Sequence, residues 1–127
     1  MNRTLRAACL AVLAALATTA VAAPAVGTRI ANGETVVFVA VDAMQVQDNY
    51  LVLTGVVEGD AAPSTRFVNF QLSSSYATIA APNLESCQRL ALTAMERPGR
   101  YRLEVTQGRG GYVTPIESGC RLVRVQP

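Results

Sequence analysis

The chain has 127 residues, 11 of them basic and 9 acidic, and the basic residues are all arginine because the sequence holds no Lys, just as it holds no His and no Trp. The missing His and Lys remove Ser-His-Asp and Cys-His catalysis, Schiff-base chemistry and the phosphate-loop lysine, and they leave zinc without its commonest nitrogen ligand. These exclusions rest on absent atoms, and they point away from an enzyme, a metal centre or a bound cofactor.

Arg3 and Arg6 precede an uncharged apolar stretch from Ala7 to Ala17, after which Thr18 and Thr19 lead into Ala20-Val21-Ala22. That is the order of a secretory signal peptide: basic region, apolar region, small-residue cleavage site. The apolar stretch is about half of the roughly 20 residues that a membrane-spanning helix needs. Cleavage after Ala22 is therefore expected, with no stable membrane span afterwards and a periplasmic or extracellular destination. Arg3 and Arg6 are not adjacent, which argues against twin-arginine export. Cys9 has Arg6 where a lipid-attachment motif wants Leu, so it should leave with residues 1–22. Loss of Arg3 and Arg6 leaves nine arginines against nine carboxylates, and the formal +2 belongs to the precursor alone. A general electrostatic case for nucleic-acid binding disappears with it.

Residues 23–34 carry little periodicity and read as a flexible lead to a single domain over 35–127. Thr35 to Val41 is β-branched and apolar on both alternating faces, which suits a central strand. Asp42 to Asn49 reads as a connection. Tyr50 to Val57 is a second strand, with Gly55 marking a bulge or bend. Glu58-Gly59-Asp60 turns the chain, and Arg66 to Leu72 alternates as a third strand. Ser73, Ser74, Ser75 and Tyr76 fall in a loop. Over about 82–97 the period shifts to that of one amphipathic helix, with Leu84, Cys87, Leu90, Ala91, Ala94 and Met95 on a single stripe. Pro82 or Asn83 can start it, and Pro98-Gly99 must stop it. Tyr101 to Thr106 is a fourth strand, Gln107 to Gly119 a glycine-rich connection, and Cys120 to Gln126 the last strand.

Without Cys9, two cysteines remain, and in an exported domain they read as one disulfide joining Cys87 on the buried face of the helix to Cys120 in the last strand. No His is present to complete a metal site, and the spacing is not that of a redox-active Cys-x-x-Cys pair. The order β-β-β-α-β-β is that of a small α+β domain, either an OB-like barrel or an open, largely antiparallel five-stranded sheet with one helix across a face. The last strand poses a conflict. If Cys120 and Leu122 face the helix, alternation sends Arg124 the same way unless a bulge intervenes.

Asp42 with Asp48, and Glu58 with Asp60, are the carboxylate pairs to weigh for acid–base work or calcium, against the plain reading as solvated turn residues. Ser73 to Ser75 with Tyr76 offer hydroxyls but no base to activate them. Tyr50, Tyr76 and Tyr112 are candidates for an exposed aromatic surface. Arginine is more suggestive: Arg97, Arg100, Arg102, Arg121 and Arg124 crowd the helix end and the last two strands, and Arg109 and Tyr112 sit in the glycine-rich loop. A hairpin of those strands would set Arg102 nearly opposite Arg124, making a site for a carboxylate or phosphate. Arg100, Arg102, Arg109, Tyr112 and Arg124 are thus the expected anion- or partner-binding residues. The expected function is that of an exported non-catalytic module binding a protein or envelope component. The alternative is an inhibitor that inserts the 107–119 loop into the cleft of a secreted enzyme.

Overall fold

The computed structural model describes residues 27–70, 77–110 and 116–127, with the side chains of 77–81 excepted. The expected signal segment 1–22 lies outside the described residues. Among the described residues six strands are formed: β1 (Thr28–Arg29), β2 (Thr35–Gln47), β3 (Tyr50–Val57), β4 (Ser64–Asn69), β5 (Tyr101–Thr106) and β6 (Gly119–Arg124). One helix, α1 (Ala77–Glu96), connects β4 to β5. The strands lie in the order β1-β4-β3-β2-β5-β6, antiparallel except where β1 runs parallel to β4. The domain is α+β, with α1 packed on β6, β2 and β5.

The sheet has six strands, not five, and it is open, not an OB-like barrel. Closure would require β4 to pair with β6. Instead β1 occupies the outer edge of β4, placing Thr28 opposite Arg66 and Arg29 opposite Phe67. β1 lies within the stretch read as a flexible lead, and it is held by tertiary pairing, which leaves no period in the sequence. The next residue, Ile30, is 2 % exposed and belongs to the core.

β2 runs through the segment read as a connection and ends at Gln47. The register against β3 shifts between Phe38 and Ala40 and again between Val41 and Ala43. Two bulges break the alternation that would have revealed a long strand. Asp48 and Asn49 then close a two-residue hairpin in which Gln47 faces Tyr50. Asp48 has a φ of 52°, a conformation that Asp and Asn tolerate better than most residues. Opposite the bulges lies Gly55, and a Cβ there would collide with the carbonyl oxygen of Ala40. The sequence signal at Gly55 is therefore a close approach of β3 to the bulged partner strand.

The helix begins five residues before the expected start, leaving Pro82 inside it. As the sixth helical residue, Pro82 lacks the N–H that would bond to the Thr78 carbonyl, so the helix forgoes one intrahelical hydrogen bond near its start. At the other end Gly99 adopts a φ of 78°, and the Arg100 N–H reaches the Arg97 carbonyl at 3.1 Å. That left-handed glycine stops the helix. Cys87, Ala91 and Ala94 are buried, while Glu85, Arg89 and Glu96 face outward. The small side chains let α1 settle close to Phe38, Leu51, Leu53, Val68, Leu103 and Val105, which are all but inaccessible to solvent. Each of these large residues contributes about 1.5–3 kcal/mol by its burial.

Cys87 and Cys120 form a disulfide with their Cα atoms 5.1 Å apart, within the usual span for such a bond. It ties the middle of the helix to β6, as the apolar stripe implies. The β5–β6 register runs unbroken from Thr106 opposite Gly119 to Tyr101 opposite Arg124. No bulge resolves the conflict in the last strand. Arg124 does share the side of Cys120 and Leu122, but it is exposed there, next to the turn that follows α1.

Candidate functional site: an arginine cleft beside a pinned loop

Cross-strand partners point to the same side of a sheet, so the register sorts the arginines. Arg102 lies opposite Val123, and Arg124 lies opposite Tyr101. The offset of one residue puts Arg102 and Arg124 on opposite faces, and they do not form a joint site. Arg102 instead donates to Glu58 Oε1 at 2.9 Å, across from the β3 end. Arg121 pairs with Glu104, its neighbour on β5, at 2.6 Å. Arg66 pairs with Asp60 at 2.9 Å, and Arg29 reaches the Asn32 side chain at 3.2 Å.

The remaining cations are distributed differently. Arg89, Arg97, Arg100, Arg109 and Arg124 are exposed and have no carboxylate partner among the described residues. Arg100 and Arg124 line one open cleft of about 360 Å³ together with Gly99, Val125, Gln126 and Pro127. The cleft exists because Gly99 turns the chain out of α1 and because Val125 extends the strand pairing, its N–H donating to the Arg100 carbonyl at 2.9 Å. Two guanidinium groups thus border one concave surface, and neither forms an ion pair among the described residues, an arrangement suited to a carboxylate or a phosphate.

The other expected sites are taken apart or absorbed into structure. Asp42 is exposed on β2 and Asp48 sits in the hairpin turn. Six residues of extended strand keep them about 20 Å apart along the chain. Glu58 and Asp60 border a common concavity of about 350 Å³ below β1, but each is held by its own arginine. The Asp60 carboxylate accepts from Ser64 Oγ at 2.8 Å and from Arg66, and these two hydrogen bonds lower its pKa below the ordinary aspartate value. It stays ionised as a hydrogen-bond acceptor, so it neither holds a proton to donate nor takes one up readily. Tyr50 is half-buried and packs against Phe67 in an edge-to-face arrangement with ring centroids 5.9 Å apart. Ser73 to Tyr76 and Tyr112 lie outside the described residues.

The residue that sequence reasoning missed is Gln107. Placed at the start of a glycine-rich loop, it is fully buried, and its side-chain amide behaves like a strand residue's backbone. The Asn69 N–H donates to Gln107 Oε1 at 2.8 Å, and Gln107 Nε2 donates to the Asn69 carbonyl at 3.1 Å. Ser118, 3 % exposed, donates its hydroxyl to the same carbonyl at 2.6 Å and accepts the Gly108 N–H at 2.8 Å. The ends of β4 and β5 and the entry to β6 are joined at this point. Two residues further along, Arg109 and Ile116 exchange backbone hydrogen bonds of 2.8 and 3.0 Å. The 107–119 connection therefore stands on a pinned base, with Arg109 exposed at its side.

No protein-family model, curated protein or solved structure matches this chain. The functional reading accordingly rests on the geometry of the arginine cleft and the pinned loop. Among the described residues no group of His, Cys, Asp or Glu is arranged to hold a metal ion, and no helix is long and apolar enough to cross a membrane.

Proposed function

We propose that this chain is an exported, non-catalytic binding module that loses residues 1–22 and grips an anionic group of a partner protein or envelope component through Arg100 and Arg124. The observation that carries the reading is the contrast among the arginines. Those at positions 66, 102 and 121 are paired with carboxylates, while Arg100 and Arg124 have no carboxylate partner among the described residues and border the same cleft. Unpaired guanidinium groups that share a concavity cost self-repulsion, which a bound anion relieves. The Cys87–Cys120 disulfide supports an oxidising destination.

The test is capture of partners from an envelope extract by the mature protein, followed by titration of the recovered partner at two salt concentrations. Arg100→Ala with Arg124→Ala should weaken binding and flatten its salt dependence. Arg102→Ala, which breaks only the Glu58 pair, should leave both unchanged. Equal binding by the double variant and the parent sinks the reading.

A second reading, an inhibitor of a secreted enzyme, draws on the pinned base of the 107–119 loop. A loop held by the Arg109–Ile116 bridge and the Gln107–Ser118 contacts pays less ordering entropy on insertion into a cleft. Recovery of one enzyme in stoichiometric amount, with its activity lost, would favour this reading. Loss of that inhibition on Arg109→Ala, with Arg100→Ala silent, would separate it from the first.

A further inference from the structure

β6 is the last strand of the sheet, and its outer edge has no partner among the described residues. The direction of its backbone groups follows from one hydrogen bond. The Val125 N–H donates to the carbonyl of Arg100, the residue directly opposite it. In an antiparallel pair alternate residues exchange such bonds, so Val123 and Arg121 also face β5. Cys120, Leu122 and Arg124 consequently turn their N–H and C=O groups outward, a row of three donors and three acceptors. The row ends upstream at Ser118, whose carbonyl accepts from the Asn83 side chain at 3.2 Å.

Proteins normally blunt such an edge with bulges, prolines or charges turned into the sheet. β6 has an unbroken register and no proline from Gly119 to Gln126, so its safeguard is the positive charge of Arg121 and Arg124, which does not repel an acidic strand. It is also held rigid, because the disulfide at Cys120 fastens it to α1. A rigid strand with free hydrogen-bonding groups is preorganised to receive another.

We propose that the outer edge of β6 takes up an extended, carboxylate-bearing segment of a partner protein as a seventh strand. The acidic side chains of that segment would meet Arg124 and Arg100 in the cleft at the end of the edge. This deepens the anion-binding reading and rests on it. The occupant follows from charge: Gly119 to Gln126 contains Arg121 and Arg124 and no acidic residue, so a second copy would set an arginine-bearing strand against itself. An acidic strand offers the complementary sign.

The experiment is amide hydrogen exchange on the mature protein, with and without an end-capped octapeptide of alternating valine and glutamate. The same peptide with lysine in place of glutamate serves as control. The glutamate peptide should slow exchange at Cys120, Leu122 and Arg124 at least tenfold and leave Leu103 unchanged, whereas the lysine peptide should do neither. Arg124→Gln should weaken binding several-fold, as expected for an exposed charge pair. Arg124→Pro should weaken it further, because it also removes an outward donor that the fold does not use. If Arg124→Pro does not fold, the exchange pattern of the parent decides. Three results overturn the inference: edge amides already protected in the free protein, protection that grows with protein concentration alone, or peptide binding that leaves those amides fast. In the last case, loss of binding in Arg100→Gln and Arg124→Gln would show that the anion-binding reading stands while the added strand does not.

Discussion

Replacing Gln107 by Met keeps the length of the side chain and takes away its polar end. The Asn69 N–H then loses the acceptor it meets at 2.8 Å, in a site where Gln107 itself is 0 % exposed. Removing one partner of a buried hydrogen bond costs about 1–3 kcal/mol. The Asn69 carbonyl suffers less, because the Ser118 hydroxyl still donates to it at 2.6 Å. The expected loss is therefore about 2 kcal/mol, or roughly 8–16 °C in Tm for a domain of this size. Urea denaturation of Gln107→Met, Ser118→Ala and the double variant measures it, and the cycle should return a coupling of at least about 0.5 kcal/mol because both side chains serve Asn69. Full stability in Gln107→Met, or strict additivity with Ser118→Ala, would refute the idea that this amide joins β4 to β5.

Cys87→Ala with Cys120→Ala should lower stability by about 4 kcal/mol, the chain-entropy value for a 33-residue separation, and thermal melting beside a reduced parent sample checks it. Gly55→Ala drives a methyl group into the Ala40 carbonyl of β2, so a loss above about 2 kcal/mol in urea and a disturbed β2–β3 register by NMR are expected. Asp60 has a folded pKa below that of the unfolded chain, so its contribution is present above the ordinary carboxylate pKa of 3.8 and fades as pH falls through the lower folded value. The Tm gap between the parent and Asp60→Asn should accordingly be open near neutrality and close in acid. A gap that persists unchanged to the acid limit would count against the Ser64 and Arg66 contacts as its source.

Much of this fold was legible because its elements follow a single period. The stripe of Leu84, Cys87, Leu90, Ala91 and Ala94 gave both the helix and the direction of the disulfide. Tyr101, Leu103 and Val105 alternate cleanly and form β5 as expected. What escaped is made by tertiary contact or by interrupted alternation. β1 has two residues and no pattern of its own. The bulges at Phe38–Ala40 and Val41–Ala43 hid the second half of β2 behind polar residues. At the site, the clustering of arginines near the helix end was visible, but which of them are neutralised was not. Glu58 pairs with Arg102 from 44 positions away, and no local rule connects them. Gln107 was hidden for the opposite reason, since a polar residue before glycine resembles a loop and its burial depends on Asn69 and Ser118.

The central position of β2 also dictates how the chain must assemble. One side of β2 zips to β3 through the Asp48–Asn49 turn, a local step for which a microsecond timescale is ordinary. Its other side waits for β5, and the Thr35 hydroxyl finds that of Thr106 across a separation of 71 residues. Between those two events the β2–β3 hairpin stands with Val36 and Phe38 uncovered. Chains dominated by such distant pairings fold in milliseconds to seconds. Until β5 pairs, the apolar Val36 and Phe38 lie along an open strand edge, the kind of surface at which aggregation competes with folding.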